Sequence, residues 1–599
     1  MNKPLSRLSV ATVAVASALS FNSCVDHDYD LTKENIDLKV TLGGELLTIP
    51  SSSLQEITLS QILDLDSESS IKEIKAGEET KYGTGFKIGD YVLVQDGNSE
   101  PADFDVEKVE IAEMAPNTNR TVLDPFIGAP MGIIENESTT TNTVDLKNDN
   151  VPEELVELDE AELDVCITFS LAMESNDFEK TAYIKQGYQA VFNEAWTVEP
   201  ADAASAQVLT QISNNVLEFA HDYPVTATKP FSASVRLTKV DFTNPAIGAG
   251  QGLYDENGVK KFRLENDVNS KGYVYINSDD LPVGEEANIT LVTSTEVAKG
   301  AEIISVTGIV DPEIDIEPTS FTISDIPDFL SNDENSLDIE NPRITFTVTN
   351  DSPLSLEVNG KLTAYIDRDA TSSADIGEQY GTKPIIVPPS ATTVFTISRV
   401  AINAADPYNI VVPELGDIIK TIPDEIRFHS ISCKAIQEPA TYALGHKYSF
   451  TAEYQAIIPL AFGPDMTLHY TEDQTGWDSD LEKYNFKEVD VTFTALNTLP
   501  LEMVPSAIAL DRNGNEIPTI KAVVTGTVAP SADGNAVSSD IKIVLTSDGE
   551  NIGALDGVRI VFDATAGGVS GVNLNSAQSL ILNDICVQIR GGVTIDLND

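Results

Sequence analysis

Apolar and polar residues alternate with a period of two along most of this chain, the pattern of strands buried on one face. Ile36, Leu38, Val40 and Leu42 begin it, Gly43-Gly44 interrupts it, and LLTIP and ITLSQILDLD follow. Tyr91-Val92-Leu93-Val94-Gln95 predicts a hairpin arm closed by Asp96-Gly97, and the Asn-, Thr- and Glu-rich stretch 135–149 an exposed connection. CITFSLAM (Cys166–Met173) is strand again, and Asp255-Glu256-Asn257-Gly258 a turn. One segment departs from the pattern. Val208, Ile212 and Val216 stand four apart, with Leu209 and Phe219 beside them, and predict a helix within 202–220. At the end, Ile585, Val587 and Ile589, then Val593, Ile595 and Leu597, predict two strands around a Gly591-Gly592 turn.

An internal repeat sharpens this reading. ITFTVTNDSPLSLEV (344–358) and VTFTALNTLPLEMVP (491–505) align without a gap at a spacing of 147 residues. Ile344, Phe346 and Val348 match Val491, Phe493 and Ala495, while threonines fill the other face. Asn350 and Asn497 each stand three residues before Pro-Leu. Asn tolerates unusual backbone angles and Pro cannot donate to a ladder, so the pair predicts a corner between two strands. IDR (366–368) echoes LDR (510–512), and ITFSLA (167–172) is a partial third copy.

Both copies resemble the Ig-like sandwich of type 2 late-embryogenesis-abundant domains, through NDSPL with IIVPPSATTVFTIS (385–398), and NTLPL with DRNGN (511–515). The resemblance covers about 250 residues and implies fold alone, since those domains carry no catalytic residues to transfer. Short strands, frequent turns and scarce helix thus predict an all-β chain of tandem Ig-like β-sandwich domains with minor helix. The expected divisions are a signal peptide at 1–23, an N-terminal β-rich domain at 24–150, a β domain with one helix at 151–315, and sandwiches at 316–440 and 441–599.

The start of the chain supplies its strongest functional signal. Lys3 and Arg7 precede the uncharged run LSVATVAVASALSF (8–21), too short to span a ~30 Å hydrocarbon core and shaped as a secretory signal. Phe21-Asn22-Ser23-Cys24 resembles a bacterial lipoprotein lipobox of the looser Bacteroidota type, with Phe21 and Asn22 where the strict form has Leu and a small residue. The resemblance implies lipidation of Cys24 and a membrane partner. An ordinary secretory signal with a chance cysteine is the open alternative. Asp26, Asp28 and Asp30 resemble the surface-export signal of such lipoproteins, and serve equally as a solvated tether. The whole chain is similar to envelope lipoproteins that begin C-x-D and end in a β-rich domain.

Removing residues 1–23 lowers the 37 basic residues to 35 against 95 acidic ones, a formal charge of −60. Nucleic-acid affinity rests on cations that neutralise phosphates, so nucleic acid is excluded as a partner. Of four cysteines, lipidation leaves Cys166, Cys433 and Cys586, an odd number expected to be free thiols. The five histidines are scattered, no P-loop, G-x-S-x-G or C-x-x-C occurs, and no metal or cofactor is expected. Asp511-Arg512-Asn513-Gly514-Asn515-Glu516 begins like a calcium loop but lacks its glutamate at the twelfth position, and predicts a hairpin turn.

One stretch suits ligand binding: YTEDQTGWDSD, where Trp477 stands beside Tyr470, Asp473, Gln474 and Asp478 in a polar loop. An exposed indole stacks on a sugar face while carboxylates and amides take its hydroxyls; a Trp folded back onto the sandwich is the alternative. The sequence therefore predicts a lipid-anchored, surface-exposed outer-membrane protein that binds an envelope protein or a glycan, or builds structure, without catalysis. The rival is a glycan-binding or glycan-active protein of polysaccharide uptake, whose ~5–9 Å carboxylate separation spacing does not reveal.

Overall fold

The computed structural model describes residues 39–42, 46–50, 55–62, 70–323, 335–377, 381–475, 488–547, 552–590 and 593–596. The fold is all-β, and helix is confined to short pieces. Alternating strands need a second apolar face to bury the first, and the long sheets pair off into three sandwiches.

The sandwiches are nested along the chain. In the terminal one, Leu46–Pro50 and Gln55–Thr58 both pair with Ser579–Arg590, which continues to Glu488–Asn497, Val537–Ser547 and Ile520–Thr525. Its second sheet is Leu468–Thr475, Gly557–Thr565 and Glu502–Leu510. The middle sandwich sets Arg343–Asn350 between Ala391–Ser398 and Lys447–Pro459, and the latter carries Tyr91–Asn98 and Ala102–Asp105. Across from it lies the sheet of Leu356–Ile366 and Glu425–Ala435, with Phe346 over Phe428 at 6.1 Å and Phe321 over Tyr454 at 5.1 Å. Strands between Val109 and Val310 build the inserted sandwich, closed by Phe219 of one sheet against Phe231 of the other at 4.7 Å.

The chain therefore runs outward through terminal, middle and inserted sandwiches and returns through the middle to the terminal one. The segment expected as an N-terminal domain, 24–150, contributes strands to all three. The expected boundary at 440/441 falls within the middle sandwich, because Lys447–Pro459 is paired to Arg343–Asn350. Main-chain and side-chain bonds tie neighbouring units: Ser305–Gly308 pairs with Ala440–Ala443, and the Asp90 carboxylate accepts from Asn573 Nδ2 (2.8 Å) and Asn575 Nδ2 (3.1 Å).

Several local expectations change. The helix is only Ala203–Val208, N-capped by Asp202, whose Oδ1 accepts from Ser205 N at 2.7 Å. Leu209–Ser213 and Val216–Phe219 then form a hairpin, burying Leu209, Leu217 and Phe219 and exposing Ile212. The Ser213-Asn214-Asn215 turn and β-branched Thr210, Ile212 and Val216 outweigh the four-residue spacing. Residues 135–149 are no connection: Ile133–Asn148 is a 16-residue strand on Val259–Asn277. Asp96-Gly97 lies inside Tyr91–Asn98, where a Cβ at Gly97 would run into the Tyr454 ring. The Asn257-Gly258 turn stands, both residues at positive φ (57° and 79°). Val593–Asp596 pairs with Lys39–Leu42; the Gly591-Gly592 turn lies outside the described residues.

Candidate functional site

Trp477, Asp478 and Cys24 lie outside the described residues. The rest of the predicted site is strand rather than loop. Leu468–Thr475 pairs with Gly557–Thr565 from Leu468 opposite Ala564 to Thr475 opposite Gly557. Leu468 is buried and Tyr470 packs on the core, so the pleat turns His469, Thr471 and Asp473 outward. Gln474 follows in the same strand. Tyr470 and Asp473 thus share a strand but stand on opposite faces. The alternation of Leu468 and Tyr470 was the available signal, masked by the polar residues around it.

Asp473 is engaged by Arg559, whose Nε and Nη2 donate to its two oxygens at 2.7 Å each. Those hydrogen bonds hold the Asp473 carboxyl below its usual range. Four residues away on the same face, His469 Nδ1 lies 2.6 Å from Asp563. The outer face is a row of cross-strand pairs, and a ligand approaching Asp473 meets the carboxylate and the guanidinium together.

Two shallow depressions lie elsewhere. One, of about 320 Å³ on the outer face of the terminal sandwich, is lined by Thr492, Thr494, Thr525, Asp540, Lys542 and Asp584. Next to it the fully buried Asp490 carboxylate receives Lys542 Nζ at 2.8 Å and Arg590 Nε at 2.8 Å. Desolvation alone would raise its pKa, but the hydrogen bonds from Lys542 and Arg590 win and depress it. The triad clamps three adjacent strands, a structural use of charge. The other depression, of about 450 Å³, is lined by Glu162, Asp164, Glu199, Arg236 and Lys239 of the inserted sandwich. Arg236 reaches Asp164 at 3.4 Å and Lys239 reaches Glu160 at 2.6 Å. Among the described residues no group of His, Cys, Asp and Glu could hold a metal ion. Asp511 accepts from the backbone N–H of Asn513 (2.8 Å) and Asn515 (2.9 Å), the hairpin turn expected there.

No family model matches the chain, and no curated protein matches it. Among solved structures it is similar to a "putative secreted protein" from Parabacteroides distasonis ATCC 8503, at 16% identity over 48% of this chain and 90% of that one, with a TM-score of 0.33. A chain from the triple jelly roll and turret assembly of an archaeal virus aligns at 11% identity over 80% of this chain and 91% of its own, with a TM-score of 0.09. At these scores the likeness carries no argument about what this chain does.

Proposed function

We propose that the protein is a lipid-anchored, surface-exposed component of the outer membrane that binds a partner and performs no catalysis. The nested course of the chain carries this reading. Leu46–Pro50, the strand nearest Cys24 in a described sandwich, is paired to Ser579–Arg590 near the other end of the chain. A lipid on Cys24 then tethers the terminal sandwich, while the middle of the sequence forms the unit furthest along the array. Such an arrangement presents a surface away from the membrane. Replacing Cys24→Ala in the full chain tests it: the variant should leave the membrane fraction and lose its lipid mass. A variant that stays fully membrane-bound overturns the anchor, and turnover of a polysaccharide or peptide panel abolished by a single carboxylate substitution overturns the non-catalytic reading.

A second reading, glycan capture around Trp477, is favoured by the polar Asp473–Arg559 face on the strand that precedes that residue in the sequence. Retention of the full chain on a polysaccharide column, lost in Trp477→Ala, would support it.

A further inference from the structure

The end of the inserted sandwich carries a concentration of exposed apolar side chains. Val122, Ile127, Met131, Ile133 and Val283 are 72, 56, 87, 56 and 67% exposed. Single exposed aliphatic residues need no explanation, whereas five on two adjoining segments do. Phe126–Ile127 pairs with Glu286–Ala287, Gly128 N donates to Glu285 O (2.8 Å), Gly284 N to Gly128 O (2.9 Å), and Ser278 N to Gly132 O (3.0 Å). Gly128 is required at this seam, because a Cβ there would collide with the Pro282 carbonyl.

The core beneath is already complete. Leu123, Phe126, Leu281, Ala287 and Ile289 are buried at intervening positions, so the exposed residues are not displaced core. The tip is also remote. Along Leu155–Glu174, Leu163 pairs with Ile303, next to the Leu444–Ile304 bond to the middle sandwich, and the Glu174 end pairs with Thr290 beside the tip. At ~3.3 Å per residue these points are roughly 35 Å apart.

Charge selects the occupant. Residues 122–133 and 278–289 contain Asp124, Asp279, Asp280, Glu285 and Glu286 and no Lys or Arg. Two nearby cations are committed, Lys185 to Glu135 at 2.6 Å and Arg120 to Glu174 at 3.2 Å. An acidic rim repels an anionic lipid surface, and a second copy would bring two acidic rims together. We propose that this tip docks a protein partner whose contact surface is apolar at its centre and lined with Lys and Arg at its margin. The inference rests on the display reading for the direction of the tip, while the contact itself can be measured without the anchor.

The test is photo-crosslinking on intact cells expressing the full chain with a benzophenone side chain at Met131 or at Val283, and at Ile212 as an exposed control. Both tip positions should yield one and the same protein adduct, identified by mass spectrometry, and Ile212 none. The identified partner, purified, should bind the full chain with an affinity that falls on raising salt and drops at least about tenfold in Met131→Asp/Val283→Asp. Circular dichroism and the melting temperature of that variant should match the parent, since neither side chain is buried. An adduct with lipid, with a second copy, or with a partner whose binding is indifferent to salt and to the double substitution overturns the proposal, as does no adduct. Loss of membrane association in Cys24→Ala is read separately, so failure of the tip and failure of the anchor are distinguishable.

Discussion

Asn350 and Asn497, 147 residues apart, do the same work in two sandwiches. Each is fully buried, and each Nδ2 donates to the carbonyl four residues on, Leu354 at 2.8 Å and Leu501 at 2.9 Å. The second amide proton of each reaches across to another segment, Pro388 O or Ala529 O, both at 2.8 Å. The side-chain oxygens accept from the backbone N–H two residues on, Ser352 at 2.8 Å and Leu499 at 2.9 Å. At this corner the chain leaves one sheet of its sandwich for the other, and the amide satisfies polar groups that the ladders release.

Substituting either residue by Leu should therefore destabilise its own sandwich. Two buried carbonyls and one buried N–H lose their partner, each at a cost of about 1–3 kcal/mol, partly relieved by water. Asn350→Leu should lower the unfolding transition of the middle sandwich and Asn497→Leu that of the terminal one, both read by denaturant titration with hydrogen exchange. A substitution that leaves protection of its own sandwich intact would show that the corner forms without the amide.

The Asp490 clamp should give the terminal sandwich an acid-labile term. Its carboxyl is depressed in the folded state, so the contribution is complete above the unfolded value of ~3.9 and is lost as pH falls through the lower folded value. Asp490→Asn should cost about 1–3 kcal/mol at neutral pH, less than for a wholly buried pair because Lys542 and Arg590 keep a solvated side. The gap between variant and parent should close on acidification. Denaturant midpoints measured from neutral to strongly acidic pH check both the size and the direction.

The described cysteines are all free, where their odd number required only that one be unpaired, and they should differ sharply in reactivity. Burial pushes the Cys433 thiol up to about 12, so it stays protonated at neutral pH, whereas Cys166 faces solvent. Since the thiolate is the attacking species, a disulfide reagent should modify Cys166 in the native protein and Cys433 only after denaturation. Mass mapping of the modified peptides over time decides this; early labelling of Cys433 would show that its strand opens locally.

The fold class was legible because period-two alternation and the Asn/Pro corner are local. What the sequence hid follows from two physical causes. In Ile133–Asn148 the alternation is real but polar on its inward face: Ser138, Thr140 and Asn142 are buried there. Asn142 and Asn148 use their amides to hold the carbonyls of Asn117 (2.9 Å) and Glu110 (2.6 Å), a role that composition presents as solvent-facing. In the nesting, pairs such as Leu46 with Arg590 join opposite ends of the chain, and no local pattern specifies a partner so far away. The site suffered from the first cause, since the polar run after Leu468 concealed a strand that ends at Thr475.

Tryptophan emission can place Trp477, because the chain holds two indoles and one is accounted for. Trp196 is 1% exposed, its ring 6.3 Å from that of Phe192, and its strand is paired to Phe231–Asp241. It should emit blue and resist quenching. In Trp196→Phe the remaining emission belongs to Trp477 alone. Capture of a sugar ring requires an accessible indole, so the glycan reading expects a red-shifted emission quenched by acrylamide and shifted by a bound polysaccharide. Trp477→Ala should then weaken that binding by more than ~1 kcal/mol while the melting temperature barely moves. An indole folded onto the sandwich gives the opposite pair of results: blue, protected emission, and a loss of about 3–5 kcal/mol of stability on truncation to Ala. The emission of the free protein separates the two before any ligand is known, and a protected Trp477 would end the capture reading without touching the anchor or the apolar tip.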